Sequence, residues 1–250
     1  MAEALECSES KVSRIETGSV SALPRDVRDL LDLYGVAGEQ RDKLMEAARQ
    51  AREKGWLHAY SDVKPSAYIG LEAAADRIRI YSASLVPGLL QTPAYARAVI
   101  RALGPKLHSD QVDRWVELRK ARQALLRQAD PPRIEVILDE NVLRRPVGGR
   151  EVTQEQMERL LEDGALGAVT LQVLPLQAGE HAGMYGSFTI LGFRDPGQPN
   201  MVYLENATTE LYLDSERELR RYTRAFENLS AAALDPDASA ALVAKLRKEV

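Results

Sequence analysis

The closely spaced runs VTLQVLP, SFTILGF and MVYLE, the last continuing through a turn into ELYLD, constrain the fold of this chain more than any other feature. Each has the length and the β-branched or aromatic content of a strand, and turn residues separate them. Upstream, RIEVILD places Ile134, Val136 and Leu138 on one face at period two, which predicts a further strand. Helical spacing surrounds these runs. Tyr95, Ala98, Val99 and Ala102 mark one helix, and Leu118, Ala121 and Leu125 mark a second that is basic outside. Met157, Leu160, Leu161 and Gly164 mark a third. Leu219, Tyr222, Phe226 and Leu229, then Leu242, Val243 and Leu246, predict two closing helices. Helices, then mostly consecutive strands, then helices indicate an α+β fold with a mostly antiparallel or mixed sheet.

Residues 1–55 read as helical throughout. Val27, Leu30, Leu31 and Tyr34 fall at i, i+3, i+4, i+7, as do Leu44, Ala47, Ala48 and Ala51. Pro24 in the first turn and Gly35 after the last periodic residue bracket the earlier helix. Periodicity breaks over 56–66, which predicts a linker between a small all-helical head, 1–55, and a larger α+β domain, 67–250. The lone cysteine, Cys7, excludes an intramolecular disulfide and suits a reducing compartment. The acidic start MAEALECSE is unlike a signal peptide, and no apolar run approaches the roughly 18 residues of a membrane span. A cytoplasmic location is the simplest expectation. A net charge of −4 argues against wholesale coating of nucleic acid but leaves room for a small DNA-reading head.

The head's most specific segment is ALECSESKVSRIETG, residues 4–18. Glu6 and Cys7 make a tight turn, and Ser8 is placed to cap the next helix. Val12 and Ile15 face inward, and Gly18 supplies the left-handed residue past the helix end. Glu9, Ser10, Lys11 and Arg14 are left outward on the first turns, where a recognition helix enters the major groove. Base edges would be read there, with phosphates held by Ser8 and Lys11. An amphipathic surface helix with a cap would look the same.

The segment resembles the second half of the XRE/Cro–cI type of helix-turn-helix, whose third helix ends in a run like VSRIETG. That resemblance implies a capping and phosphate-contacting Ser8, with Glu9, Ser10 and Arg14 facing bases. It also implies a Glu16 that pairs with an arginine on the first helix. A complete domain of this type begins further upstream, so Met1 would fall inside its second helix, and DNA binding by these 250 residues alone is expected to be weak.

Five blocks in the remainder carry a second resemblance: LVPGLLQTPAYARAVI (85–100), VELRKARQALL (116–126), ILDENVLRRPVGG (137–149), VTLQVLPLQAGEHAGMYGSFTILGF (169–193) and VYLEN (202–206). Together they resemble the large C-terminal domain of actinobacterial XRE-type regulators, WhiJ-like and often described as antitoxin-like. The resemblance implies a small partner protein encoded nearby, and assigns the domain itself no defined chemistry.

Read from the residues, a few positions stand out. Pro87 and Gly88 fix a turn, and Gln91 and Thr92 are placed to cap the helix that follows. Asp139 and Glu140 end a strand one helical turn before Arg144 and Arg145, either as an exposed ion-pair cluster or as the rim of a pocket. Glu180 and His181 sit in a glycine-flanked loop, with Tyr185 just beyond. A histidine there either is solvated or acts as an acid, base or ligand anchor. Chain geometry predicts that Asp139, Glu140, Glu180, His181 and Tyr185 converge with Gln91 around one concavity suited to holding a polar small molecule or moving a proton, with Arg144 a further ligand-binding candidate. No metal-ligand spacing, Walker loop, dinucleotide fingerprint or nucleophile elbow occurs. No cofactor is expected, no catalytic residue is assignable, and nothing demands an enzyme.

Two functions remain open at this stage. One is a DNA-binding transcriptional regulator, compatible with a homodimer, whose large domain senses a small molecule or a partner protein. The other is a large domain recruited as a small-molecule-binding protein or enzyme of specialised metabolism, with a degenerate head.

Overall fold

The computed structural model describes residues 24–38, 40–42, 44–45, 59–60, 62–63, 66–195 and 197–250. Ser8, Glu9, Ser10, Lys11, Arg14 and Glu16 lie outside the described residues. The chain divides into two compact units, Met1–Asp62 and Val63–Val250. In the first, helix α1 (Pro24–Leu33) begins at its proline, carries Asp26 in its first turn and buries Leu31. Gly35, at φ 64°, then breaks the helix, because only glycine takes that left-handed conformation without steric cost.

The second unit is built on one six-stranded sheet. Its strands are β1 (Arg77–Ser82), β2 (Arg133–Asp139), β3 (Val169–Leu174), β4 (Phe188–Gly192), β5 (Met201–Glu205) and β6 (Glu210–Leu213), in the order β3-β2-β1-β4-β5-β6. The first three strands run parallel to one another; β4 is antiparallel to β1, and β5 and β6 continue as an antiparallel meander. The fold is α+β with a mixed sheet. Parallel neighbours require long crossovers. Helices α2 (Ala67–Ala74) before β1, α3 (Pro93–Leu103) and α4 (Ser109–Gln123) between β1 and β2, and α5 (Glu140–Arg144) and α6 (Arg150–Gly164) between β2 and β3 account for that half. Helices α7 (Glu216–Ala232) and α8 (Pro236–Glu249) close the chain.

The central strand is RIRIYS, which is not among the strands expected above. Its alternation sends Ile78 and Ile80 to one face and Arg79 and Tyr81 to the other. The first face carries the larger core: Ile78, Ile80, Ile134, Val136, Leu138, Leu171 and Val173 pack under Val99, Leu160, Val243 and Leu246. The second face is smaller, and there Tyr81, Ile137, Phe188, Ile190 and Val202 pack under Phe226 and Leu229 of α7. Each fully buried Leu, Ile or Val contributes on the order of 1.5–3 kcal/mol, so the first face holds most of the stability.

Helix starts follow local chemistry. Thr92 caps α3 by accepting from the Tyr95 N–H at 3.2 Å, with Pro93 in the first turn. Ser215 and Asp235 cap α7 and α8 in the same way. A polar brace ties α2 and α4 to the turn after β1. Arg122 donates to both carboxylate oxygens of Glu72 at 2.8 and 2.9 Å, and Glu72 is only 2 % exposed. Among the described residues, every buried side-chain nitrogen and oxygen has a hydrogen-bond partner.

Candidate functional site

The path of the chain after β3 brings the most chemically loaded groups together. Strand β4 lies on the far side of β1 and runs antiparallel to it, so the segment 175–187 must cross the carboxyl ends of β2 and β1 to reach Phe188. The carboxyl edge of parallel strands is where open α/β sheets most often place ligands. Here that edge presents Tyr81 and Asp139, which project from the same face of neighbouring strands, since Tyr81 pairs with Ile137 two residues before Asp139.

Asp139 has two oxygens with different tasks. Oδ1 caps α5 by accepting from the Asn141 N–H at 2.9 Å. Oδ2 has the Tyr81 hydroxyl donating at 3.4 Å and Nε2 of His181 at 3.7 Å. Both distances exceed those of a good hydrogen bond, so this oxygen is weakly engaged. The His181 ring stands edge-on to Tyr81, with centroids 6.0 Å apart. Its Nδ1 accepts from the Gly183 N–H at 3.2 Å, which leaves Nε2 as the proton-bearing nitrogen of the neutral ring. The pair Asp139 and His181 therefore meet as acceptor and donor. Burial, then the neighbouring Asp139 carboxylate, pushes the Tyr81 hydroxyl well above the ordinary tyrosine range, so it stays protonated and acts as a donor.

Glycine makes this approach possible. A Cβ on Gly183 would lie 2.3 Å from two carbons of the Tyr81 ring. The loop backbone thus packs directly on the ring, and Gly179, at φ 68°, turns the chain into it.

The other sequence-predicted residues divide between this edge and elsewhere. Glu140 is buried beside Asp139 but its carboxylate is occupied: it accepts from the Leu176 N–H at 2.9 Å and from Arg144 at 2.5 and 2.7 Å. It clamps α5 to the turn after β3, and Arg144 remains half-exposed at the rim. Glu180 is exposed, and Tyr185 is 98 % exposed and contributes no wall. Gln91 lies in a different neighbourhood. Its amide donates to the Val86 carbonyl at 2.6 Å and accepts from Arg119 at 2.5 Å, while the Gln156 side chain bonds both Thr92 N–H and the Leu90 carbonyl at 2.7 Å. Burial and the adjacent Arg122 pull the Arg119 guanidinium down to about 10. Tyr81 is the group at this edge that the sequence did not single out; the Arg–Ile alternation of RIRIYS was the available signal. Among the described residues no three His, Cys, Asp or Glu side chains group to hold a metal ion, and no helix is long and apolar enough to cross a membrane.

Comparison with known proteins agrees with this division of the chain. Residues 1–44 match a helix-turn-helix domain, which places the chain broadly among DNA-binding regulators. No curated protein and no solved structure matches it. Residues 65–245, most of the chain and all six strands, match a domain of unknown function (DUF5753), and the protein belongs to that family.

Proposed function

We propose that the protein is a transcriptional regulator whose large domain holds a small polar molecule at the carboxyl ends of β1 and β2. The observation that carries this reading is the meeting of Tyr81, Asp139 and His181 at one oxygen, at distances of 3.4 and 3.7 Å that are too long for strong hydrogen bonds. A ligand hydroxyl or amine would donate to Asp139 Oδ2, and its neighbouring oxygen would accept from the Tyr81 hydroxyl or from His181 Nε2. Arg144, at the rim, suits an anionic substituent.

The loop 175–187 is the element that such a ligand would meet, because Gly179, at φ 68°, turns it across the strand ends and Gly183 lets its backbone lie directly on Tyr81. A ligand that favours one loop arrangement changes DNA affinity only if the two events are coupled, and coupling is reciprocal: DNA then changes ligand affinity by the same factor. In its finer form the proposal is of an XRE-type, WhiJ-like regulator, with a small partner protein as the alternative effector.

The test is thermal melting of the full chain across a panel of polyhydroxylated and amine-bearing small molecules. A saturating ligand at 100 times its Kd raises stability by about 2.7 kcal/mol. That rise is expected in the wild type and absent in His181→Ala, whose unliganded melting temperature stays close to wild type. Retention of the full rise in His181→Ala removes this site from the proposal.

A further inference from the structure

Helix α7 is two-sided, and only one side is explained by the fold. Leu219, Tyr222, Phe226 and Leu229 turn toward the sheet, where they pack with Phe188, Ile190 and Val202. At 100° per residue, positions 217, 220, 221 and 224 fall on the opposite side, and all four are arginines. Arg217, Arg220, Arg221 and Arg224 are exposed.

The carboxylates of the helix do not neutralise this stripe. Glu216 pairs with Arg220 at 2.7 Å, an exposed pair of little energetic weight. Glu218 accepts from the Ser215 hydroxyl at 2.6 Å, and Glu227 lies toward Arg79, whose guanidinium sits 5.6 Å above the Phe226 ring. Arg217, Arg221 and Arg224 form no ion pair with any other described residue. This concentration of positive charge stands in a chain of net charge −4. Arginines on an ordinary solvated helix face usually alternate with acids at i, i+4, and here three of the four do not.

We propose that the outer face of α7 is a second nucleic-acid contact, one that binds the phosphate backbone of duplex DNA without reading bases. The stripe runs over eight residues, 217–224, roughly 10 Å along the helix axis, a length over which one DNA strand carries about three phosphates. Guanidiniums match phosphate oxygens in geometry and carry their charge at any physiological pH. Such a contact adds affinity and salt dependence, while sequence reading is left to the helix-turn-helix segment. The inference rests on the regulator reading for its biological meaning, but its measurement does not.

The experiment uses the full chain and a labelled random-sequence duplex of about 30 base pairs, long enough for several times the stripe's span. Binding is followed by fluorescence anisotropy over a salt series. Three proteins are compared: wild type, the quadruple variant Arg217→Gln, Arg220→Gln, Arg221→Gln, Arg224→Gln, and a head variant Lys11→Gln, Arg14→Gln. The four stripe residues are exposed, so the quadruple variant is expected to melt with the wild type. Its affinity should fall about tenfold or more, and the slope of log K against log salt should flatten by about 3. An unchanged slope in the quadruple variant, beside a weakened head variant, overturns the α7 contact and leaves the regulator reading standing. A flattened slope in the quadruple variant, beside an unaffected head variant, supports the contact and counts against DNA reading by the head. Absence of any wild-type binding at low salt overturns both. Wild-type binding to polyglutamate as tight as to the duplex assigns the stripe to an acidic protein partner and overturns the DNA assignment.

Discussion

Two buried polar clusters in the large unit differ in how completely their groups are used. Around the turn after β1, Glu72 and Arg122 share two bonds of 2.8 and 2.9 Å, and Gln91 and Gln156 spend their amides on backbone and on Arg119 at 2.5 to 2.7 Å. At the carboxyl edge, Asp139 Oδ2 meets its two neighbours at 3.4 and 3.7 Å. The first cluster is closed and the second is slack. A buried polar group left unsatisfied costs about 1–3 kcal/mol, so a closed network is what structural polar groups require. Slack at an acceptor is tolerable only where solvent or a ligand reaches it, and Asp139 and His181 keep 12 % and 16 % of their side chains exposed. The difference separates groups whose hydrogen bonds hold the fold from the groups on which the proposed binding site rests.

The sharpest way to break this comparison is Glu72→Ala. It removes both carboxylate oxygens that bond a guanidinium whose side chain is 12 % exposed, and leaves that charge buried beside Arg119. A buried charge that loses its partner typically costs 3–5 kcal/mol. Urea denaturation should show a loss of about that size at neutral pH. A loss under about 1 kcal/mol, the range of a surface pair, would mean that the brace is solvated and the contrast drawn here is false.

How much of this was legible in the sequence differs between the two clusters for physical reasons. Strand-forming composition revealed β2 through β6; in β2 to β5 side chains also alternate in burial or are buried on both faces, whereas β6 is mostly exposed. The alternation in RIRIYS was equally regular, but its second set is Arg77, Arg79 and Tyr81, and the half-buried Arg79 places its guanidinium 5.6 Å from the Phe226 ring. A reading based on apolar runs passes over such a strand, and with it Tyr81. Asp139 and His181 were distinguishable as a carboxylate at a strand end and a histidine between glycines. Their meeting depends on the route of 175–187 across the sheet, which is set by strand order and has no local signature. Gln91 shows the reverse case: its position beside a helix cap is visible, but nothing local says that its amide turns back onto Val86.

Gly183→Ala tests the tight side of the slack cluster. The added Cβ would stand 2.3 Å from the Tyr81 ring, which is fully buried and has no flexible end to move aside. Overpacking of this kind costs about 1–3 kcal/mol. The loop is expected to lift, so the loss in stability should come with greater solvent protection lost at 179–187 in hydrogen exchange than elsewhere in the sheet. A destabilisation spread evenly over the core would place the strain in Tyr81 instead.

The smallest effect on stability is expected from Asp139→Asn, and there the slack cluster makes its most specific claim. Asparagine caps helices about as well as aspartate, so the bond from Asn141 to position 139 survives. Neutral-pH stability should then change by no more than about 0.5 kcal/mol, as for substitutions that leave packing and caps intact. The charge, however, is gone. Tyr81 is held above the ordinary tyrosine range first by burial and next by that carboxylate, both through charge and through the hydrogen bond. A group whose folded-state pKa is raised contributes stability that is fully present below its unfolded value, near pH 10, and is lost as pH climbs through the folded value. Removing Asp139 lowers the folded value toward the ordinary one, so Tyr81 should ionise earlier on an alkaline titration while the native sheet persists. Tyr68, Tyr203 and Tyr212 are also raised, but by burial and by Glu72, Glu205 or Glu210, and they should titrate alike in both proteins. The difference between wild-type and Asp139→Asn phenolate absorbance therefore isolates Tyr81. A difference of zero through the native range would mean that Asp139 and Tyr81 do not share a field, and the proposed binding site would lose the donor–acceptor pair on which it rests.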